Sequence, residues 1–139
     1  MPRSVGAQRP HIVINNTVYW VLQVSCNAKG LRTIPALPWD TVSVDLSGNS
    51  LSRISFNSFP ELPGLKALWL DNNRIGHIEA HSFRGMQDCD VISVRRNAQL
   101  EHLTKHAFSG LRRVRSLLLT DNNVSIELHT ILKVLDLIL

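Results

Sequence analysis

The chain has 139 residues, 44% hydrophobic and 19% charged, with 15 Lys and Arg against 11 Asp and Glu and a formal net charge of +4. This fits one globular domain with a packed core, and no segment reaches the roughly 18 apolar residues that a membrane-spanning helix needs. The basic residues are scattered apart from a knot at Arg112, Arg113 and Arg115, without interleaved aromatics, so nucleic acid is not an expected partner; two cysteines exclude a disulfide-dense scaffold.

In chain order, residues 1–10 hold two Pro, a Gly, a Ser and two Arg and read as a loose tail. The apolar run after Arg3 and Arg9 is interrupted by Asn15, Asn16 and Thr17, which makes a poor signal peptide. Residues 11–40 read as a β segment. Ile12, Val13, Ile14, Val18, Tyr19, Trp20, Val21, Leu22 and Val24 favour one or two short strands broken near Asn15-Asn16. Pro35 and Pro38, each with a fixed φ and no N–H, mark a turn ahead of the next segment.

From residue 41 the chain repeats itself. Val44-Asp45-Leu46-Ser47-Gly48-Asn49 is echoed by Leu68-Trp69-Leu70-Asp71-Asn72-Asn73, by Ile92-Ser93-Val94-Arg95-Arg96-Asn97 and by Leu117-Leu118-Leu119-Thr120-Asp121-Asn122. Asn49, Asn73 and Asn97 are 24 residues apart, and Asn122 follows Asn97 by 25. This period with the pattern L-x-x-L-x-L-x-x-N-x-L marks stacked units, bounded at 41–64, 65–88, 89–113 and a partial 114–124. Each unit opens on a strand, as the inward Leu68 and Leu70 around the outward Trp69 show. The asparagines fall where the chain must turn. A side-chain amide both donates to and accepts from backbone groups that have no ladder partner, so the repeat predicts a ladder of amides.

Leu51, Ile54, Phe59 and Leu62 match Ile75, Ile78, Phe83 and Met86, then Leu100, Leu103, Phe108 and Leu111. These fill the core, with the phenylalanines as an aromatic spine. One extra residue near Ala98-Gln99 belongs in a loop, with the register recovered by Leu103. Cys89 takes a leucine slot and reads as a buried small hydrophobe. Cys26 lies too many strand spacings away to bridge to it.

Residues 125–139 contain neither Gly nor Pro. Leu128, Ile131, Leu132, Leu135, Ile138 and Leu139 fall on one helical face, while Leu132, Leu135 and Leu137 also fit the opening of a fifth repeat. The helix is preferred, because a fifth strand would leave the fourth return limb too short. A solenoid end this apolar predicts that the protein continues or that this end self-associates.

Residues 24–124 resemble the extracellular leucine-rich-repeat proteins with repeats of typical length, the group of Slit, Toll-like receptors, small leucine-rich proteoglycans and variable lymphocyte receptors. Besides the repeats, Val24-Ser25-Cys26-Asn27-Ala28-Lys29-Gly30-Leu31-Arg32-Thr33-Ile34-Pro35 is similar to the end of their N-terminal cap, so that 11–40 is cap-like. The implied fold is an α/β-class leucine-rich-repeat solenoid, a curved horseshoe with a parallel β-sheet on the concave face and loops and short helical turns on the convex face. The implied function is non-enzymatic recognition of a protein or glycoprotein on the concave face, outside the cell or at its surface, with no cofactor and no membrane insertion. The chain departs from the pattern at the cap, whose cysteine set is represented only by Cys26, and in having no cysteine-rich C-terminal cap. These departures predict an internal piece of a larger protein, and they keep open a purely structural or assembly role without independent ligand binding.

Outward strand positions form the expected binding face: Ser43, Asp45 and Ser47, then Ala67, Trp69 and Asp71, then Val91, Ser93 and Arg95, then Ser116, Leu118 and Thr120. Within it Asp45, Trp69, Asp71, Ser93, Arg95, Arg96 and Leu118 are the expected ligand-binding residues. Trp69 leads because a large ring on a solvent-facing strand is the residue type enriched in binding hot spots. His77, His81, His102 and His106 occupy equivalent slots in adjacent repeats. Paired imidazoles can hold zinc or copper, with Glu79 or Glu101 adding an oxygen, but repeat-derived similarity accounts for them and no metal is expected. Asn15-Asn16-Thr17 and Asn123-Val124-Ser125 are glycosylation triplets, giving Asn15 and Asn123 as acceptors. The chain shows no phosphate-binding glycine loop, nucleophile elbow or paired His-Glu zinc motif, so no catalytic constellation is expected.

Overall fold

The computed structural model describes residues 6–8, 11–104 and 106–123. Its strands are β1 (Gly6–Gln8), β2 (His11–Ile14), β3 (Thr17–Trp20), β4 (Leu22–Ser25), β5 (Thr41–Asp45), β6 (Arg53–Ile54), β7 (Ala67–Trp69), β8 (His77–Ile78), β9 (Val91–Ser93), β10 (His102–Leu103) and β11 (Ser116–Leu118). One strand from each of the four repeats, β5, β7, β9 and β11, joins β1 and β4 in a six-stranded sheet of order β1-β4-β5-β7-β9-β11, parallel from β4 onward. The apolar segment 125–139, with its alternative of helix or fifth strand, lies outside the described residues.

The N-terminal region is more ordered than its composition predicts. A loose tail is expected over 1–10, yet Gly6–Gln8 pair antiparallel with β4. This pairing satisfies the row of N–H and C=O groups that the sheet edge would otherwise leave open. The break at Asn15-Asn16 is the turn of a β2–β3 hairpin. Both asparagines have positive φ, 50° and 62°, which is what a two-residue hairpin turn needs to match the twist of its strands.

Backbone pairing continues beyond the strands. Leu46 N donates to Trp69 O, Leu70 N to Ser93 O and Val94 N to Leu118 O, each at 2.8 Å. There the asparagines take over. Asn73 Oδ1 accepts from Leu51 N at 3.1 Å, and its Nδ2 donates to Leu46 O at 3.0 Å and Leu70 O at 3.1 Å. One amide thus ties its own repeat to two points of the preceding one. Asn49 and Asn97 do the same, Asn49 to Cys26 O and Leu31 N, Asn97 to Leu70 O and Ile75 N. Asn122 Oδ1 accepts instead from Asn97 N at 2.7 Å. The extra residue of the third repeat explains this shift: the turn Leu100 N to Asn97 O absorbs it, and Leu100 returns to full burial.

The residue before each ladder asparagine is left-handed: Gly48 at φ 70°, Asn72 at 54°, Arg96 at 58° and Asp121 at 61°. Glycine, asparagine and aspartate enter this region readily, whereas arginine does so at a cost of about 1–2 kcal/mol.

The core lies between the sheet and the return limbs. Val44, Leu46, Leu68, Leu70, Ile92 and Val94 point into it from the strands. They meet the three matched sets of Leu51, Ile54, Phe59 and Leu62 and their equivalents, all buried. The phenylalanines stack, with Phe59–Phe83 centroids 6.0 Å apart and Phe83–Phe108 5.5 Å apart and nearly coplanar in orientation at 3°. On the return side β6, β8 and β10 form a second parallel ladder. The helical turns expected there are isolated i→i+3 turns such as Met86 N to Phe83 O and Ser109 N to His106 O. Extended pairing uses part of each short return limb, and among the described residues no helix forms. Gly110, at φ 102°, lets the limbs touch: a Cβ there would lie 2.6 Å from Arg84 Cα.

Cys26 and Cys89 are both free and buried. Burial pushes the Cys89 thiol up to about 11, with its Sγ donating to Val91 O at 3.4 Å.

Two substitutions probe this scaffold. Asn73→Ala removes one side chain that serves four backbone groups, so a loss of about 3 kcal/mol or more is expected in urea unfolding, against a change within about 0.5 kcal/mol for the exposed Asn57→Ala. Arg96→Gly relieves the left-handed strain and gives up an exposed ion pair to Asp121 at 3.7 Å. A gain of about 0.5–1 kcal/mol is expected, and a lowered urea midpoint would show that the ion pair outweighs the strain.

Candidate functional site

The parallel register sets the outward residues in columns across the concave face. Ser43, Ala67, Val91 and Ser116 form one column, and Asp45, Trp69, Ser93 and Leu118 the next. Ser47, Asp71, Arg95 and Thr120 follow beyond the strand ends, where Gly48 N donates to Asp71 O and Asn72 N to Arg95 O. Adjacent members of a column stand roughly 4.8 Å apart. Short strands and a common register therefore gather residues that are 24 positions apart in the chain.

The C-terminal half of this face closes on itself. Ser93 Oγ donates to Asp71 Oδ1 at 2.6 Å, Arg95 N donates to the same oxygen at 2.7 Å, and Arg95 Nη2 reaches Asp71 Oδ2 at 3.4 Å. Arg95 Nε also donates to Ser93 Oγ at 3.2 Å. Ser93 and Asp71 are consequently buried, Ser93 at 0% exposure, although both occupy outward positions. They hold the half-buried Arg95 in place and have little polar capacity left for a ligand. Arg96 is exposed beyond the strand and pairs with Asp121. Leu118 is half-buried on the last described strand.

The N-terminal half is open. Gln23, Ser25, Ser43, Asp45, Ser47, Trp69 and Asp71 line a recess of about 570 Å³. Asp45 Oδ1 accepts from Ser47 N at 2.9 Å, and Trp69 is its in-register neighbour. Gln23 and Ser25 were not among the expected face residues. Their signal is the alternation of buried Leu22, Val24 and Cys26 with exposed Gln23 and Ser25, which extends the face onto β4.

The histidine set falls on the return side. His77 and His102 are in register, and the rings of His81 and His106 stack at 5.7 Å. Glu79 is not free to join them. It accepts from Arg53 Nη2 at 2.9 Å and from Phe56 N at 3.1 Å, and the Phe56 N–H foremost, with Arg53 second, holds its carboxyl below the ordinary glutamate range. Among the described residues no group of three or more His, Cys, Asp or Glu is placed to hold a metal ion, and no helix is long and apolar enough to cross a membrane. Asn15 is exposed at the hairpin turn and Asn123 is exposed after the last ladder asparagine. Trp39 and Phe56 are exposed apolar side chains, but they sit in loops off the sheet.

Sheet, amide ladder and stacked core agree with what the chain matches. The leucine-rich-repeat family model matches residues 63–124. Leucine-rich repeat-containing protein 3 of Danio rerio is 34% identical over 89 residues, covering 63% of this chain and 34% of that protein. Reticulon-4 receptor-like 2 of Rattus norvegicus is 32% identical over 95 residues, covering 68% of this chain and 22% of that one. Among solved structures, human 5T4 (trophoblast glycoprotein, or Wnt-activated inhibitory factor 1) superposes with a TM-score of 0.67 at 25% identity, over 81% of this chain and 44% of that chain. The chain is a leucine-rich-repeat protein. It spans about a third or less of the length of these curated relatives.

The closed network gives a stability prediction. Asp71→Ala leaves the buried Ser93 hydroxyl and the Arg95 N–H without their acceptor, so a loss of about 1–3 kcal/mol is expected in chemical denaturation. A change below about 0.5 kcal/mol would mean that water replaces the carboxylate without penalty.

Proposed function

We propose that this chain is a non-enzymatic recognition module that binds a protein or glycoprotein through the concave face of its solenoid. Residues 41–124 supply the recognition stack and 11–40 a cap-like N-terminal end. The observation that carries the reading is Trp69, a large ring kept only partly covered on the open sheet, beside Asp45 and a recess of ligand-sized volume. Such a ring offers apolar area with few rotamers to freeze, which is why tryptophan is enriched at binding hot spots. The sheet beneath it is held by hydrogen bonds on both sides of the stack, so little ordering entropy is lost when a partner docks.

Within this reading Asp45, Trp69, Arg95, Arg96 and Leu118 meet the ligand, while Asp71 and Ser93 position Arg95. The module acts outside the cell or at its surface. Support comes from the names of a relative and of a structural neighbour, a receptor-like protein and a glycoprotein, and from the exposure of Asn15, the acceptor of its triplet, on the hairpin turn.

The test is a binding screen of the multimerised chain against displayed extracellular proteins. Wild type is expected to select a partner, and Trp69→Ala to weaken it about ten-fold or more, with Trp69→Phe between the two and thermal unfolding of both near that of wild type. If Trp69→Ala binds the selected partner as wild type does, the ligand lies on another surface.

A further inference from the structure

We propose that the recess at the N-terminal half of the concave face seats a cationic side chain, so that the partner presents a lysine or arginine there. This rests on the concave-face reading and adds to it the chemistry of the partner.

The carboxylates of this chain differ in their partners. Glu61, Asp71, Glu79, Asp88, Asp90 and Asp121 each face an arginine within 4.0 Å, namely Arg84, Arg95, Arg53, Arg113, Arg115 and Arg96. Asp45 makes no such pair among the described residues. One of its oxygens accepts from Ser47 N, which orients the carboxylate without neutralising it. Where the next repeat supplies Arg95 beside Asp71, it supplies Trp69 beside Asp45.

A carboxylate and an indole side by side on one strand column are the two groups that hold a cation best at a protein surface. The carboxylate gives a charge-assisted hydrogen bond. The indole face attracts a guanidinium or ammonium within roughly 6 Å of its centroid. Besides Val24 and Asp71, whose carboxylate is taken up by Arg95, the recess is lined by amide and hydroxyl: Gln23, Ser25, Ser43 and Ser47 offer acceptors to the remaining N–H groups of the guest. No basic side chain lines it. The chain's cations gather elsewhere, with Lys66, Arg112, Arg113 and Arg115 around a separate recess. A protein of net charge +4 thus keeps one acidic, aromatic seat on its sheet. A basic partner would be drawn by that seat and not by the overall field, since charges more than about 8–10 Å apart are screened at physiological salt.

The test uses N-acetylated hexa-arginine amide as the probe, titrated calorimetrically into the full chain at physiological ionic strength, with hexa-glutamate as the charge-reversed control. Hexa-arginine is expected to bind in a manner that depends on Asp45, whereas any binding of hexa-glutamate, which the recess of Lys66, Arg112, Arg113 and Arg115 can attract, is expected to be the same for wild type and Asp45→Asn. Asp45→Asn, which keeps an acceptor for Ser47 N, and Trp69→Ala are each expected to weaken hexa-arginine about five-fold or more. Asp88→Asn, away from the sheet, leaves binding unchanged. Equal affinity of Asp45→Asn and wild type for hexa-arginine, or no binding of hexa-arginine at its solubility limit, would each overturn the cation seat. These results are separable from failure of the concave-face reading. If hexa-arginine does not bind but Trp69→Ala still loses the partner selected in the screen, only the seat falls. If that partner binds Trp69→Ala normally, the concave-face reading falls.

Discussion

The structure depends on one side-chain amide used repeatedly. When the parallel strands end, the chain turns and its backbone groups lose their sheet partners inside the protein, where an unmade hydrogen bond is expensive. Asparagine at 49, 73, 97 and 122 answers this with an acceptor and two donors on one short side chain. Each amide spans the gap between repeats, as when Asn122 Nδ2 donates to Val94 O at 2.7 Å and Leu119 O at 2.9 Å. Among the described residues no buried side-chain polar atom lacks a partner. The left-handed residue before each asparagine is part of the same device, because it turns the backbone so that the amide can enter the stack.

This ladder divides the labour of the two faces. Core leucines and the phenylalanine stack hold the repeats together from inside, and among the described residues the outward side chains on the N-terminal half of the sheet make no hydrogen bonds to one another across repeats. On the C-terminal half they do. There Asp71, Ser93 and Arg95 satisfy one another, and a region that reads as a continuous polar surface becomes a rigid patch beside an open recess. The difference arises from two adjacent columns: the C-terminal half sets Ser93 and Arg95 beside Asp71, where the N-terminal half sets Trp69 beside Asp45.

Most of the scaffold was legible because periodicity carries it. A spacing of 24 fixes which residues meet across the stack, and the core sets, the amide ladder and the strand columns follow from that alone. The position of the extra residue was also readable, since Leu100 and Leu103 return to phase after it. What escaped depends on neighbours the period does not specify. The burial of Ser93 and Asp71 comes from a hydrogen-bond network with Arg95, and outward alternation by itself gives them as exposed. The strand at Gly6–Gln8 forms in a segment whose composition argues for a tail, because an open sheet edge recruits it. Gln23 and Ser25 were missed because β4 precedes the repeats and lacks their phrase. Arg96 shows that a left-handed requirement can be met by a residue that does not advertise it.

The close approach at Gly110 has a consequence for how this surface can change. Return limbs that touch backbone to backbone, over aromatic rings in contact, set the pitch of the stack from its outer side. The spacing of the stack is then held from that side, away from the open columns of the N-terminal half. Residues such as Ser43, Asp45, Ala67 and Trp69 can be exchanged one at a time without reshaping the frame that displays them. A lineage can therefore retune what the molecule grips while its silhouette stays the same, and relatives with one outline need share no common guest.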